Sequence, residues 1–286
     1  MTSDLHPADL RLPPGPVDLT AIDSGSTAGF EGGKTEGKAA LMALGDDLSD
    51  LQERLFAEGV AKVGHGRSLL LILQGMDTSG KGGVLKHTVG LVDPQGVSIT
   101  SFKKPTEEEL ANDFLWRIRK ALPARGRIGV FDRSHYEDVL IARVRELADE
   151  DELERRYDAI NAFEAELVGA GITVLKCMLH ITAATQKERL LARLANPTKH
   201  WKFNPQDVDE RVLWPQYRHA YEIALERTNT EVAPWYVIPS DHKWYRNLSV
   251  GNLLHQTLIG MNPQWPAADF DVAEQKKRLI EETPIS

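Results

Sequence analysis

The stretch LLLILQGMDTSGKGG, from Leu69 to Gly83, constrains the fold more than any other part of the chain. Five aliphatic residues in succession read as a strand buried on both faces of a parallel sheet. They run straight into a glycine-rich turn that fits the template G-x-x-x-x-G-K-[ST] at Gly75, Gly80 and Lys81, except that Gly82 stands where the template has a hydroxyl residue. In such a loop successive backbone N–H groups point inward, the following helix adds its positive end, and the lysine reaches terminal phosphates. The missing hydroxyl removes a customary metal ligand, and Asp77 inside the loop is the candidate to replace it. A carboxylate facing bound phosphate is repelled unless a cation lies between them. The competing reading is a plain strand-to-helix turn with a surface lysine; the strand before and the helix after favour phosphate binding.

The rest of the chain alternates in the same way. Apolar runs at 97–102, 127–131, 172–179 and 235–238 are separated by helical patterns at Glu107–Ala121, Glu137–Leu147, Glu152–Gly169, Ala184–Leu194, Asp207–Arg227 and Tyr245–Ile259. Alternation of this kind implies β-α-β units and an α/β fold, a five-stranded parallel sheet flanked by helices. Pro215 is expected to kink or split the helix that contains it. Residues 1 to about 40 are rich in Pro, Gly, Ser and Thr and read as an extended surface arm. From Lys38 to Gly59, Leu41, Leu44, Leu48, Leu51 and Leu55 recur at spacings of three and four, the pattern of one amphipathic helix. Its apolar face needs a partner, either its own core or a second subunit, and a homo-oligomer is the expected state. The expected organisation is therefore an arm and packing helix over 1–64 and a phosphate-loop domain over 65–286.

The run RIGVFDRSHYEDVL places Asp132 at the carboxyl end of a strand, where ligands gather in open α/β sheets. Asp77 and Asp132 together suit Mg²⁺, with Mn²⁺ as an alternative, and Arg133 adds a forked phosphate donor. A solvated strand-end pair is the competing reading of Asp132 and Arg133. Glu137 and Asp138 occupy the first turn of a helix, where acids also occur for dipole reasons alone. Between Lys187 and Lys202 stand five basic residues, Lys187, Arg189, Arg193, Lys199 and Lys202, against the single acid Glu188. Arg189 and Arg193 share a helical face, and a basic segment at about 185–218 reads as a lid over transferring phosphoryl groups, a solvated basic face being the alternative. Lys103, just past the second strand, is a further phosphate candidate. Arg117 lies in the mostly apolar helix FLWRIRKAL, where it either snorkels or contacts phosphate.

Composition narrows the partners. With 34 basic against 42 acidic residues the net charge is −8, which argues against a general nucleic-acid binder and leaves anionic substrates to local basic clusters. No apolar run approaches the ~20 residues that span a bilayer, and Cys177 is the only cysteine, so a cytoplasmic protein without membrane or disulfide is expected. Ser134 lacks a G-x-S-x-G setting, and the guanine-reading N-K-x-D of nucleotide switches is absent.

The segments LQGMDTSGKGG, SFKKPTEEELANDFLWRI, FDRSHYEDVL, NPTKHWKF and APWYVIPSDHKWYRN, in that order between roughly Asp50 and Leu258, resemble the family-2 polyphosphate kinases. The resemblance implies a P-loop kinase fold similar to thymidylate kinase with a mobile lid, and reversible phosphoryl transfer between inorganic polyphosphate and AMP, ADP or ATP. It assigns Asp77 and Lys81 to the loop, Asp132 and Arg133 to the second motif, Arg117 to a phosphate contact, and Arg189, Arg193, Lys199 and Lys202 to the phosphate chain. The family often shows an aromatic residue where His135 stands, and commonly Asp or Gly at position 82. The single loop resembles the shorter members, and the arm those accepting AMP, often ADP as well. The rival reading is an ATP-dependent nucleoside monophosphate kinase, which differs only in the phosphate donor.

Overall fold

A computed structural model describes residues 7–63 and 66–282; the expected boundary at 64 and 65 lies outside the described residues. Helices α1 (Lys34–Ala43) and α2 (Gly45–Ala61) precede strand β1 (Ser68–Gln74), helix α3 (Lys81–His87) and strand β2 (Val97–Ser101). The short helices α4 (Glu107–Leu110) and α5 (Trp116–Lys120) lead to strand β3 (Ile128–Asp132), helices α6 (Glu137–Val144) and α7 (Glu150–Gly169), and strand β4 (Ile172–His180). Helices α8 (Ala183–Leu194), α9 (Gln206–Glu210) and α10 (Trp214–Thr228), strand β5 (Trp235–Pro239), and helices α11 (Lys243–Met261) and α12 (Val272–Glu281) complete the described chain.

All five strands are parallel, in the order β2-β3-β1-β4-β5. Because side chains alternate along a strand, β1 feeds two cores at once. Leu69, Leu71 and Leu73 pack with Leu48 and Leu55 of α2 and Val250, Leu254 and Leu258 of α11, while Leu70 and Ile72 pack with residues of α6, α7 and α10. Each of these five β1 side chains is fully buried, worth roughly 1.5–3 kcal/mol apiece. The register sets Asp132 opposite both Leu73 of β1 and Ser101 of β2. The glycine loop, Asp132 and the residues after Ser101 therefore emerge side by side at the carboxyl edge of the sheet, where such folds place ligands.

Several elements differ in detail from the sequence pattern. The stretch read as one helix from Lys38 to Gly59 is two, meeting at Leu44 and Gly45, because each half follows a different surface. Helix α1 lies on α11 with Leu41 against Tyr245 and Leu248, and Gly37 so close to Trp244 that a Cβ would stand 2.1 Å from its ring. Helix α2 turns to the sheet, and Gly45 lowers the cost of the break. The leucine stripe is thus covered by its own chain. Glu107–Ala121 is also split, since Asp113 caps Leu115 N through Oδ1 at 2.8 Å and Asn112 Nδ2 donates to Glu108 O at 2.8 Å, both competing with helix continuation. The predicted break near Pro215 is present: α9 and a 3-10 turn, Arg211–Leu213, precede α10, which has proline in its first turn. The N-terminal arm is more deeply seated than a surface arm, with Leu10, Leu12 and Leu19 buried and Leu12 N donating to Trp235 O at 2.8 Å along β5. Among the described residues no helix is long and apolar enough to cross a membrane.

Candidate active site

The loop after β1 is built on glycines for steric reasons that the structure makes explicit. Gly75 has φ +144°, and a Cβ there would stand 2.6 Å from Leu179 O of the neighbouring strand. Its N–H donates to Tyr221 Oη at 3.1 Å, which ties the start of the loop to α10. Lys81 Nζ donates to Gly75 O at 2.8 Å, bridging the two ends of the loop. At Gly82 a Cβ would meet nothing within 4 Å, so the missing hydroxyl leaves open space and not a filled one. Two non-glycine residues hold left-handed backbone at this edge, Thr78 in the loop at φ 66° and Arg133 after β3 at φ 65°. Strain of this kind collects at functional sites, at about 1–3 kcal/mol each.

Arg133 NH2 donates to Asp77 Oδ1 at 3.1 Å, joining the loop to the end of β3. Beneath them Gln74 is fully buried; with its amide turned so that donors meet acceptors, its nitrogen donates to Glu137 Oε1 at 3.1 Å and its oxygen accepts from Ser134 Oγ at 3.0 Å. Burial pushes the Glu137 carboxyl above its ordinary range, with the Arg133 and Lys81 charges opposing. Burial and the Glu137 charge likewise push the Tyr221 phenol well up. Arg133 stays firmly charged, since against the pull of burial the Glu137 and Asp77 charges raise its pKa.

Two chambers share Asp77 and Arg133 in their walls. The larger, about 540 Å³, carries six cationic side chains, Lys81, Lys86, Lys103, Arg133, Arg193 and Lys202, against two carboxylates, Asp77 and Asp132. The smaller, about 260 Å³, reverses that balance, with Asp77, Glu137, Asp207 and Glu210 against Arg133 and Arg211, and adds the rings of Trp214, Tyr217 and Tyr221. A chamber crowded with cations selects a polyanion, whereas aromatic faces beside acceptors suit a nucleoside, its ring stacked and its hydroxyls hydrogen-bonded.

Of the residues singled out from the sequence, Gly80, Gly82, Asp77, Lys81, Lys103, Asp132, Arg133, Arg193 and Lys202 line the larger chamber, and Gly75 the smaller. Three do not. Arg117 is buried and donates to Lys103 O at 3.0 Å and to Asp138 Oδ2 at 3.3 Å, so it acts on the segment carrying Lys103 and not on the chamber. Arg189 points behind the loop, toward backbone carbonyls. Lys199 lines neither chamber and adds its charge near Lys243. Gln74 and Tyr221 escape the sequence reading, and Glu137 enters it only as an acid of a helix's first turn. Glu137 had a signal, its place one turn past Arg133, but Tyr221 comes from 146 residues beyond the Gly75 that it contacts.

Residues 33–266 match the family model described as Polyphosphate kinase 2 (PPK2). The chain belongs to this family. It is 45% identical over 254 residues to the AMP/ADP-polyphosphate phosphotransferase of Meiothermus ruber, covering 89% of this chain and 93% of that one. It is 39% identical over 231 residues to the ADP-polyphosphate phosphotransferase of Rhodopseudomonas palustris, covering 77% and 78% of the two chains. The crystal structure of polyphosphate kinase 2 from Arthrobacter aurescens TC1 superposes with a TM-score of 0.95 at 51% identity over 99% of both chains. The resemblance read from the ordered motifs is borne out, as is the P-loop kinase fold, and the protein is a phosphotransferase.

Proposed function

We propose that this PPK2 member transfers the terminal phosphoryl group of inorganic polyphosphate to AMP and ADP, giving ADP and ATP, and runs in reverse when ATP is in excess. The observation that carries this reading is the pair of chambers meeting at Asp77 and Arg133, one cationic and one aromatic and acidic. Its relatives' names, AMP/ADP-polyphosphate and ADP-polyphosphate phosphotransferase, support the same substrates. The larger chamber takes the polyphosphate chain, with Lys81, Lys103, Arg193 and Lys202 along it, and the smaller takes the nucleoside. The segment from α8 to the start of α10 acts as the lid, and its closure excludes water from the transferring group.

The attacking group is a phosphate oxygen of the nucleotide, whose second ionisation lies near about 6, so no strong general base is required. Catalysis then rests on alignment and on charge: Arg133 and Lys81 sit at the junction of the two anions, and Arg193 reaches it from the lid. Asp77 and Asp132 fit a hard divalent cation, since both are oxygen donors on the same wall and the space beside Gly82 is open. Two carboxylates leave the rest of the shell to phosphate oxygens and waters, the coordination that suits Mg²⁺ or Mn²⁺. Asp77 and Asp132 would hold that ion, which would neutralise charge on the phosphates.

Donor-dependent turnover tests the reading. Purified protein with Mg²⁺ and AMP or ADP is offered either polyphosphate or ATP, and the nucleotides are separated by chromatography. ADP and ATP formed from polyphosphate are the expected products; transfer from ATP with polyphosphate inert would move the protein to the nucleoside monophosphate kinases.

A further inference from the structure

Two arginines lie buried behind the loop, on the side away from the chambers. Arg246, in the first turn of α11, is 3% exposed; its NH1 donates to Ser79 O at 3.0 Å, and its Nε and NH2 donate to Asn247 Oδ1 at 3.2 and 2.9 Å. Arg189 of α8, 7% exposed, donates from NH1 to Thr78 O at 2.8 Å and Ser79 O at 3.0 Å, and from NH2 to Ser240 O and to Asp241 O at 3.0 Å. Among the described residues neither guanidinium lies within ion-pair distance of a carboxylate. Both charges are satisfied by carbonyls and one amide alone.

We propose that Arg189 and Arg246 are positioning residues of the phosphate loop: both donate to Ser79 O and hold that carbonyl turned away from the chamber so that the Gly80 N–H faces the polyphosphate, and Arg189 also fixes the Thr78 carbonyl, in whose peptide the Ser79 N–H closes a turn on Met76 O at 3.0 Å. Each buried carbonyl needs a donor, and a peptide whose oxygen is anchored on one side must present the next N–H to the other. A planar guanidinium bonds two or three carbonyls at fixed angles, which a lysine ammonium cannot reproduce. The seat of Arg246 also explains two of the glycines. A Cβ on Gly80 would stand 1.7 Å from Arg246 NH1, and one on Gly83 2.3 Å from NH2. Both positions are kept bare by the arginine behind the loop, and Gly80 also by its φ of +116°. Arg189 bonds the carbonyl of Thr78, the left-handed residue, and so holds the strained part of the loop in place.

The two charges add to the field in the cationic chamber. Burial, with the Arg189 charge adding to it, pushes the Arg246 pKa down to about 9, so it remains charged at neutral pH. Asp241 and Glu188 partly answer the Arg189 charge from beyond ion-pair distance, but Arg246 meets no acid of the protein, and the phosphate chain in the chamber is the counter-charge that the fold leaves out. Arg189 also roots α8 on the loop, so the base of the lid is fixed while Arg193, one turn on, reaches the chamber.

The role rests on the proposed donor, and the test separates the two. Binding of inorganic tripolyphosphate, read by calorimetry, needs no turnover; the wild-type donor assay judges the reaction on its own. In Arg246→Lys, which keeps the charge and loses the fork, the Kd for tripolyphosphate is expected to rise at least about tenfold and kcat to fall about 10- to 100-fold with an unchanged circular dichroism spectrum. Arg189→Lys should behave alike and serves if the first variant does not fold. A tripolyphosphate Kd and kcat within about twofold of wild type in a folded lysine variant would overturn the proposal, leaving the arginines as charge or as packing only.

Discussion

The buried charges of the sheet core and those of the phosphate loop are answered in opposite ways. In the core, Lys176 of β4 donates to Glu164 Oε2 at 2.6 Å, to Tyr136 Oη at 2.9 Å and to Thr228 O at 2.8 Å, and the other Glu164 oxygen accepts from Tyr136 Oη at 2.7 Å and faces His135 Nε2 at 3.2 Å. The two charges meet inside the protein. Burial works against the Glu164 carboxylate, but Lys176 and His135 outweigh it and hold its pKa below the ordinary range. Behind the loop, by contrast, Arg189 and Arg246 hydrogen-bond only to carbonyls and Asn247; Asp241 and Glu188 act on Arg189 from beyond ion-pair distance, and no acid answers Arg246. A closed network belongs to the scaffold; an unbalanced one looks outward to a ligand. The comparison teaches that burial alone does not mark a functional charge. What marks it is a counter-charge that the fold does not supply.

Breaking the closed side should give the largest effect. Lys176→Met removes one half of a buried pair and should cost roughly 3–5 kcal/mol of unfolding free energy in urea titrations, with kcat unchanged where the protein remains folded. The pH dependence sharpens this. In the wild type the depressed Glu164 pKa contributes stability that is complete above its ordinary value of 4.5 and is lost as pH falls through the folded value. In the variant, burial prevails over the remaining His135 and Tyr136 contacts and raises the folded pKa, so stability should increase as pH falls through that folded value, the reverse slope.

Breaking the open side should cost chemistry in place of stability. Asp77→Asn is expected to lower turnover by about 10²–10³ while leaving the unfolding midpoint near that of wild type, since Asp77 is two-fifths exposed and pairs only across the chamber wall. A variant that keeps most of its activity would remove Asp77 from the mechanism. The smallest effect is expected where charges are neither buried nor aimed at a ligand. The Arg155–Glu152 pair, 2.9 Å apart with Arg155 68% exposed, should give Arg155→Ala within about 0.5 kcal/mol of wild type and an unchanged kcat.

Much of this frame is legible in the residues themselves. Continuous aliphatic runs mark the strands because a parallel sheet is buried on both faces, and Gly75, Gly80 and Lys81 mark the loop because their spacing is fixed by local backbone geometry. Asp132 is found the same way, at the end of its own strand. The clamp is not legible, because its partners are remote: Arg246 lies 167 residues beyond the Ser79 whose carbonyl it holds. Helical periodicity also misleads at Arg189 and Arg193. They share a helix face, yet α8 runs past the loop, so one side chain passes behind it and the other reaches the chamber. The breaks at Gly45 and Asp113 were hidden for a related reason, since apolar spacing does not register where a helix changes the surface on which it rests.

The most direct measurement converts the open side into a closed one. Asn247→Asp places a carboxylate on the oxygen that already accepts two bonds from Arg246, and melting temperatures with and without inorganic tripolyphosphate are compared for wild type and variant. With tripolyphosphate at about a hundred times Kd, the wild type should rise by roughly 5 °C or more. The variant should melt higher than wild type without ligand and gain less from it at the same concentration, its arginine being answered already. An equal ligand-induced rise in both proteins would contradict the claim that the phosphate chain supplies the counter-charge beneath the loop.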